Sequence, residues 1–290
     1  MTAAHVLLDG LIDYAGLFPP ASLDMQTAVR NYSLYRASDE AWMLGRFIVP
    51  ARGLSEFSTA FSETCCGERM APWLLSVLST GDAAEDAHLV ASLIEGAAFL
   101  DAIEFKVESS AQVEAQLGLI PSGMAAYAEF TTQQLAEILP VLKKFDARAK
   151  IRTGGVTADT IPSTQQVAAF LIACAKAKIP FKATAGLHHP LHSTQMLTTE
   201  ENTATATMHG FINLFVAATI AYQGAPESDV IELLNEQSST AFQWGKSALK
   251  WRSYRLTVKQ IRKAREEFAI GFGSCSFAEP VNELKALGWI

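Results

Sequence analysis

The stretch AKIRTGGVTADTIPSTQQVAAFLIACAKAKIPFKATAGL, residues 149–187, decides the fold. Its two ends, Ala149–Thr153 and Pro180–Thr184, are short apolar runs in which Lys150 and Arg152, then Lys182 and Thr184, fall on alternate positions, the period of a strand. Between them, Ser163 or Thr164 can cap a helix whose Val167, Phe170, Leu171 and Cys174 recur at helical spacing. A strand, a helix and a second strand joined by connections this short imply a parallel pair.

The same unit recurs upstream. Further strands are expected at Leu11–Leu17, Gly45–Val49, Pro72–Leu78, Ala102–Val107 and Met124–Phe130. The intervening helices are one capped at Ser22 after Pro19-Pro20, an amphipathic run from Thr80-Gly81-Asp82 to Ala98, and one capped at Thr131 or Thr132 that carries Leu135, Ile138, Leu139 and Leu142. These steps give a parallel sheet, closed or doubly wound. Downstream, residues 208–223, about 227–236 and about 257–268 read as helices. Ala269–Phe277 supplies an eighth strand, and Glu279–Leu287 a closing helix. The expected fold is α/β, a TIM (β/α)8 barrel over residues 1–290 as one domain, with a helical insertion at about 224–266 before the last strand. A separate helical cap over 224–290 is the alternative; the chain shows neither an internal repeat nor a low-complexity linker, which favours one domain.

Composition narrows the function. Of 290 residues, 49% are hydrophobic and 18% charged, which excludes a long disordered chain. The apolar stretch Phe211 to Tyr222 is too short to span a bilayer, so no membrane partner is expected. Lys and Arg number 23 against 30 Asp and Glu, a net charge of −7 that argues against nucleic acid. The basic stretch from Lys246 to Arg265 reads as a solvated face around a helix. Cysteines at 65, 66, 174 and 275 form no C-x-x-C pair, and the N-terminus has no basic segment followed by a long apolar core. The expectation is a cytoplasmic protein with reduced thiols and no cofactor, binding a small anionic metabolite, with a homo-oligomer allowed.

On the candidate strands, charge collects on one parity: Glu104, Lys106 and Glu108; Glu129; Lys150 and Arg152; and Lys182, followed by Thr184, Gly186 and His188. An inert barrel interior is filled by Val, Ile and Leu, and buried charges cost several kcal/mol each unless paired. A polar site at the barrel mouth is therefore expected. The alternative is an ion-pair network, or a one-residue register error that turns the charges outward. Two lysines on adjacent strands repel, and burial disfavours the ammonium, so the expectation is a lowered lysine pKa and a nucleophilic amine. Asp13 is a candidate inward acid, and Arg46 and Arg52 are candidate carboxylate binders or ion-pair partners. Cys275 reads as a packed thiol, since neither a histidine nor a helix N-terminus is assured beside it.

Lys150-Ile-Arg-Thr-Gly and Lys182-Ala-Thr-Ala-Gly, followed by Gly273-Ser274-Cys275-Ser276, resemble the deoxyribose-phosphate aldolase group and class I aldolases more widely. That group carries a Schiff-base lysine on the sixth strand, a second lysine on the seventh and a phosphate loop after the eighth. The resemblance covers about a third of the chain. It implies that Lys150 forms the imine, that Lys182 depresses its pKa, and that Gly186, Gly273 and Ser274 bind an anion through backbone N–H groups. Three departures stand out, one being that the insertion at about 224–266 has no counterpart in that group. Arg152 replaces a small residue, and the family's acidic partner on the fourth strand is matched only approximately by Glu104, with Lys106 beside it.

The leading expectation is a lyase of aldolase type. Lys150, Lys182, Glu104, Glu129 and His188 would be catalytic, and Arg152, Lys106, Thr184, Gly186, Gly273 and Ser274 would bind substrate. Two alternatives stand beside it. In Gly186-Leu-His-His-Pro-Leu-His192, His188 or His189 could join Glu104 or Glu129 around a metal ion in a barrel lyase or hydrolase. A barrel that binds an anion without turning it over is the other. His209 and Asn213, four apart on the following helix, could face the same histidine-rich loop.

Overall fold

A computed structural model describes residues 1–290 apart from 66–71, 92–97, 121–122, 156 and 198–203. Cys66 and the last part of the helical run expected to reach Ala98 lie outside the described residues.

Eight strands close into an all-parallel barrel. They are β1 (Ile12–Tyr14), β2 (Leu44–Pro50), β3 (Trp73–Leu78), β4 (Ala98–Lys106), β5 (Ala125–Glu129), β6 (Arg148–Arg152), β7 (Phe181–Thr184) and the last strand, Ala269–Ser274. Consecutive strands are neighbours around the ring, and the last strand pairs with both β7 and β1. The connecting helices are α2 (Met25–Arg36), α3 (Leu54–Thr64), α4 (Ala83–Ala91), α5 (Ser110–Leu117), α6 (Leu135–Lys144), α7 (Thr164–Ala177) and α8 (Phe211–Tyr222), with α1 (Ala3–Leu8) preceding β1. The fold is therefore the α/β TIM barrel that the strand–helix alternation predicts.

Local chemistry sets most of the boundaries. Ser163 caps α7 in a reciprocal box with Gln166. Thr131 makes the same box with Gln134, but across a short 3-10 turn that leads into α6. The cap of α2 is Asp24 rather than Ser22; its carboxylate accepts from the Thr27 backbone N–H at 2.8 Å and fixes the first turn two residues later than the sequence predicts.

After β7 the chain departs further from expectation. A hairpin of β8 (Ser193–Met196) and β9 (Thr205–Met208), which is not among the elements expected from the sequence, precedes α8. Residues 224–266 are not wholly helical. Helix α9 (Glu227–Leu234) is followed by an antiparallel sheet of β10 (Phe242–Trp244), β11 (Ala248–Trp251) and β12 (Tyr254–Thr257), then by α10 (Val258–Glu267). These strands are three or four residues long, too short for alternation to register. The barrel closes with β13 (Ala269–Ser274) and α11 (Ala278–Ala286). The basic stretch is thus divided between an antiparallel sheet and a helix. One member, Arg265, turns inward and donates to the carbonyls of Asp9, Ala269 and Ile270.

The apolar core lies between barrel and helices, not inside the barrel. Phe47, Phe57, Tyr32 and Trp73 pack on one side; Phe181, Phe215, Phe268 and Phe272 pack on the other. Helix α8 is buried on every face from Phe211 to Ala221 and is apolar apart from Asn213 and Thr219. It packs against α7, α9 and α10. Among the described residues no helix is long and apolar enough to cross a membrane.

Candidate active site in the barrel mouth

The parallel register sets Lys106 beside Glu129, Glu129 beside Lys150, and Lys150 beside Lys182, so four charged residues stand at one level on consecutive strands. Asp13 and Glu104 complete the group from β1 and β4. Asp13, Glu104, Glu129, Lys150 and Lys182 are all buried. The apolar residues that alternate with them, such as Phe105, Ala128, Ile151 and Ala183, belong to the core outside.

The contacts alternate in sign. Lys150 Nζ lies 2.8 Å from Glu104 Oε2 and 2.8 Å from Glu129 Oε2. Lys182 Nζ lies 2.5 Å from Glu104 Oε1 and 2.5 Å from Asp13 Oδ2. Glu104 therefore separates the two lysines and also accepts from Ser76 Oγ at 2.6 Å. Arg46 extends the chain to Asp13 and Asp101, and the Lys182 ammonium lies 5.5 Å from the centroid of the Tyr127 ring. Tyr127 accepts from Arg148 at 2.7 Å.

This arrangement overturns the lowered lysine pKa. Burial does oppose the ammonium form of Lys150, but the charges of Glu104 and Glu129 outweigh it and raise the pKa. Burial opposes Lys182 in the same way, and Asp13 and Glu104 raise it. Burial pushes the Glu104 carboxyl up, yet Lys150 and Lys182 hold it well below the usual carboxylate range; Glu129 is lowered by Lys150 and Arg152 against the same burial. Both lysines rest as ammonium ions between carboxylates.

A cavity of about 400 Å³ opens above this network at the C-terminal end of the strands. Glu104, Glu129 and Lys150 line it, while Lys182 lies deeper, off its lining. Arg152, half-exposed, donates Nε to Glu129 Oε1 at 3.0 Å, and Lys106, mostly exposed, lies 4.0 Å from the same oxygen. Both cations line the cavity, as do Thr184, Gly186 and Gly273. Apolar residues that include Phe18, Pro19, Ile48, Leu78 and Met208 complete the lining.

The glycines have identifiable reasons. Gly186 has φ +73°, and a Cβ on Gly154 would come within 2.7 Å of Gly186 Cα, so the turns after β6 and β7 meet backbone to backbone. Thr153 Oγ1 fastens them by donating to the carbonyls of Thr184 and Ala185 at 3.1 and 2.7 Å. Ser274 is placed differently from its expected anion-binding role. Its hydroxyl donates to Ser276 O at 2.7 Å, and the residue is not among those lining the cavity. Arg52 pairs on the surface with Glu85, away from the cavity.

The histidines separate. His188 lines the cavity, with Nδ1 2.9 Å from Glu279 Oε2 and Nε2 3.8 Å from Cys275 Sγ. Burial works against its charged form, but Cys275 and Glu279 outweigh burial and raise the pKa to about 10. His189 Nδ1 instead meets Glu283 Oε1 at 2.5 Å. The carboxylates beside both histidines therefore come from α11, not from Glu104 or Glu129. Among the described residues, one group brings potential cation ligands together: atoms of His189, Glu279 and Glu283 lie within 4.8 Å of one another. None of the three lines the cavity, which separates that group from the space a substrate would fill. His209 bonds to Pro162 O at 2.7 Å, while Asn213 accepts from the backbone N–H of His192 and donates to Leu233 O and Glu236 O.

Sequence reasoning missed Ser76, Tyr127, Arg148 and Glu279. Tyr127 and Arg148 share the inward parity of Glu129 and Lys150, a signal that was present; nothing around Glu279 marks it. No family model matches the chain, and no curated protein matches it either.

Proposed function

We propose that the protein is an imine-forming lyase of aldolase type, with Lys150 as the nucleophile and a small carbonyl compound bearing a carboxylate or phosphate as substrate. The observation that carries this reading is the position of the Lys150 ammonium, lining the cavity and seated 2.8 Å from each of two carboxylates.

A protonated lysine is not a nucleophile, so the amine must be released within the site. Glu129 is placed to take the proton, since its Oε2 already faces Lys150 Nζ. The free amine then adds to the carbonyl carbon. Loss of water, with the proton returned by Glu129, leaves an iminium cation. That cation takes the place of the ammonium one for one, so Glu104 and Glu129 favour it without reorganising. Electrons from the adjacent carbon–carbon bond then flow into the iminium. Glu129 accepts the proton of the β-hydroxyl, an aldehyde leaves, and an enamine remains to be protonated and hydrolysed. Lys182 and Asp13 act from below as a fixed pair that keeps Glu104 ionised. Arg152 and Lys106 supply positive charge for the substrate's anionic group.

Borohydride reduction with a panel of anionic aldehydes and keto acids tests this. The expected product is a secondary amine on Lys150, found by peptide mass spectrometry and missing from Lys150→Arg. If no carbonyl compound in the panel leaves an adduct on Lys150, the reading fails.

A further inference from the structure

The same cavity carries a second nucleophilic arrangement that the lysine chemistry does not use. Cys275 lines the cavity where the chain leaves β13, three residues before α11 begins. His188 Nε2 faces its sulfur at 3.8 Å, and Glu279, from the first turn of α11, holds the opposite ring nitrogen at 2.9 Å. Thiol, imidazole and carboxylate thus stand in line. The imidazole can hold the proton that the thiol gives up while the carboxylate fixes the ring's orientation. A cysteine that merely packs needs no such partners. Cys174 supplies the contrast within this chain: it is fully buried, and burial alone pushes its thiol well above the ordinary range.

We propose that Cys275 is a second nucleophile of the mouth cavity, with His188 as its proton partner and Glu279 as a positioning residue, and that it captures the aldehyde carbon of a small anionic compound as a thiohemiacetal. In that step the sulfur–carbon bond forms and the carbonyl π bond breaks. The proton shared between Cys275 Sγ and His188 Nε2 passes to the new alkoxide, so no further reactant is required. The cavity cations Arg152 and Lys106 give the preference for an anionic aldehyde. This assignment stands without Lys150 acting as the imine former.

The test reads alkylation of the Cys275 peptide by iodoacetamide at pH 7. Native Cys275 is expected to react at least about tenfold faster than in the same chain under denaturant. His188→Gln should remove that advantage. Glu279→Gln should lower it several-fold while the circular dichroism spectrum is kept, an effect that a packing role would not produce. Glyoxylate should then protect Cys275 reversibly while glycolate, which has the same charge and no carbonyl, does not. The protection should persist in Lys150→Arg, which retains the cation but cannot form an imine. A native rate no higher than the denatured one overturns the proposal. So does equal protection by both acids, protection by neither, or protection that disappears in Lys150→Arg.

Discussion

Replacing Glu104 by glutamine would test the energetic logic of the barrel interior. The substitution keeps the side chain's shape and an acceptor for Ser76 Oγ, but it withdraws the one charge shared by Lys150 and Lys182. Removing one partner of a buried ion pair costs about 3–5 kcal/mol, because the remaining charge stays buried. At roughly 2–4 °C per kcal/mol for a chain of this order, Tm should fall by about 6–20 °C. The pH dependence has a definite sign. Glu104 is depressed in the folded protein, so its contribution is complete above the ordinary glutamate value and is lost as pH falls through the folded value. Below about pH 4.3 the unfolded wild-type chain binds a proton at this site that the folded chain resists, at ~1.4 kcal/mol per pH unit. The gap between wild type and Glu104→Gln should therefore be largest at pH 7 and smaller by about 2 kcal/mol at pH 3. Urea unfolding followed by the fluorescence of the five tryptophans measures both quantities. A loss below about 1 kcal/mol, or a gap that does not change with pH, would refute the charge network as the organising feature of the interior.

Other perturbations separate binding from scaffold. Arg152→Ala should raise KM for an anionic substrate by roughly 10- to 100-fold with a smaller change in kcat, since a charge-assisted hydrogen bond is worth about 1.5–3 kcal/mol; steady-state kinetics against a neutral analogue is the control. Asn213→Ala leaves the His192 N–H and the carbonyls of Leu233 and Glu236 without their side-chain partner, and should cost about 1–3 kcal/mol in urea unfolding while leaving borohydride trapping at Lys150 intact. Gly154→Ala forces the turns after β6 and β7 apart and should lower stability by about 1–3 kcal/mol, together with trapping at Lys150, because β6 carries that lysine.

The barrel was legible because its signal is repeated and local. Several strands alternate, helices such as α2 and α7 carry a side-chain cap, and the repeated strand–helix units leave little choice of topology. The polar parity was legible for the same reason: Lys150 and Arg152, Lys182 and Thr184, and Glu104 and Lys106 each lie two residues apart. What could not be read was how those charges meet. Glu104 and Lys182 are 78 residues apart in sequence and Asp13 and Lys182 are 169 apart, and only closure of the ring puts a carboxylate between the lysines. The expected amine-to-amine repulsion failed on that account. The neighbour of Cys275 escaped notice for a related reason, since that histidine lies 87 residues upstream and reaches the thiol only across the β7–β13 seam. The short strands of 242–257 escaped because three or four residues cannot establish a period.

Helix α8 carries a consequence for any attempt to simplify the chain. With no polar face of its own, it has α7, α9 and α10 where other barrel helices have water. The segment between α8 and β13 is therefore not a detachable ornament on an eightfold scaffold. Trimming it to a short turn would convert the most apolar helix of the ring into an aggregation-prone surface. A minimal barrel cut from this sequence would have to repaint α8 with charged residues before it could be handled in solution.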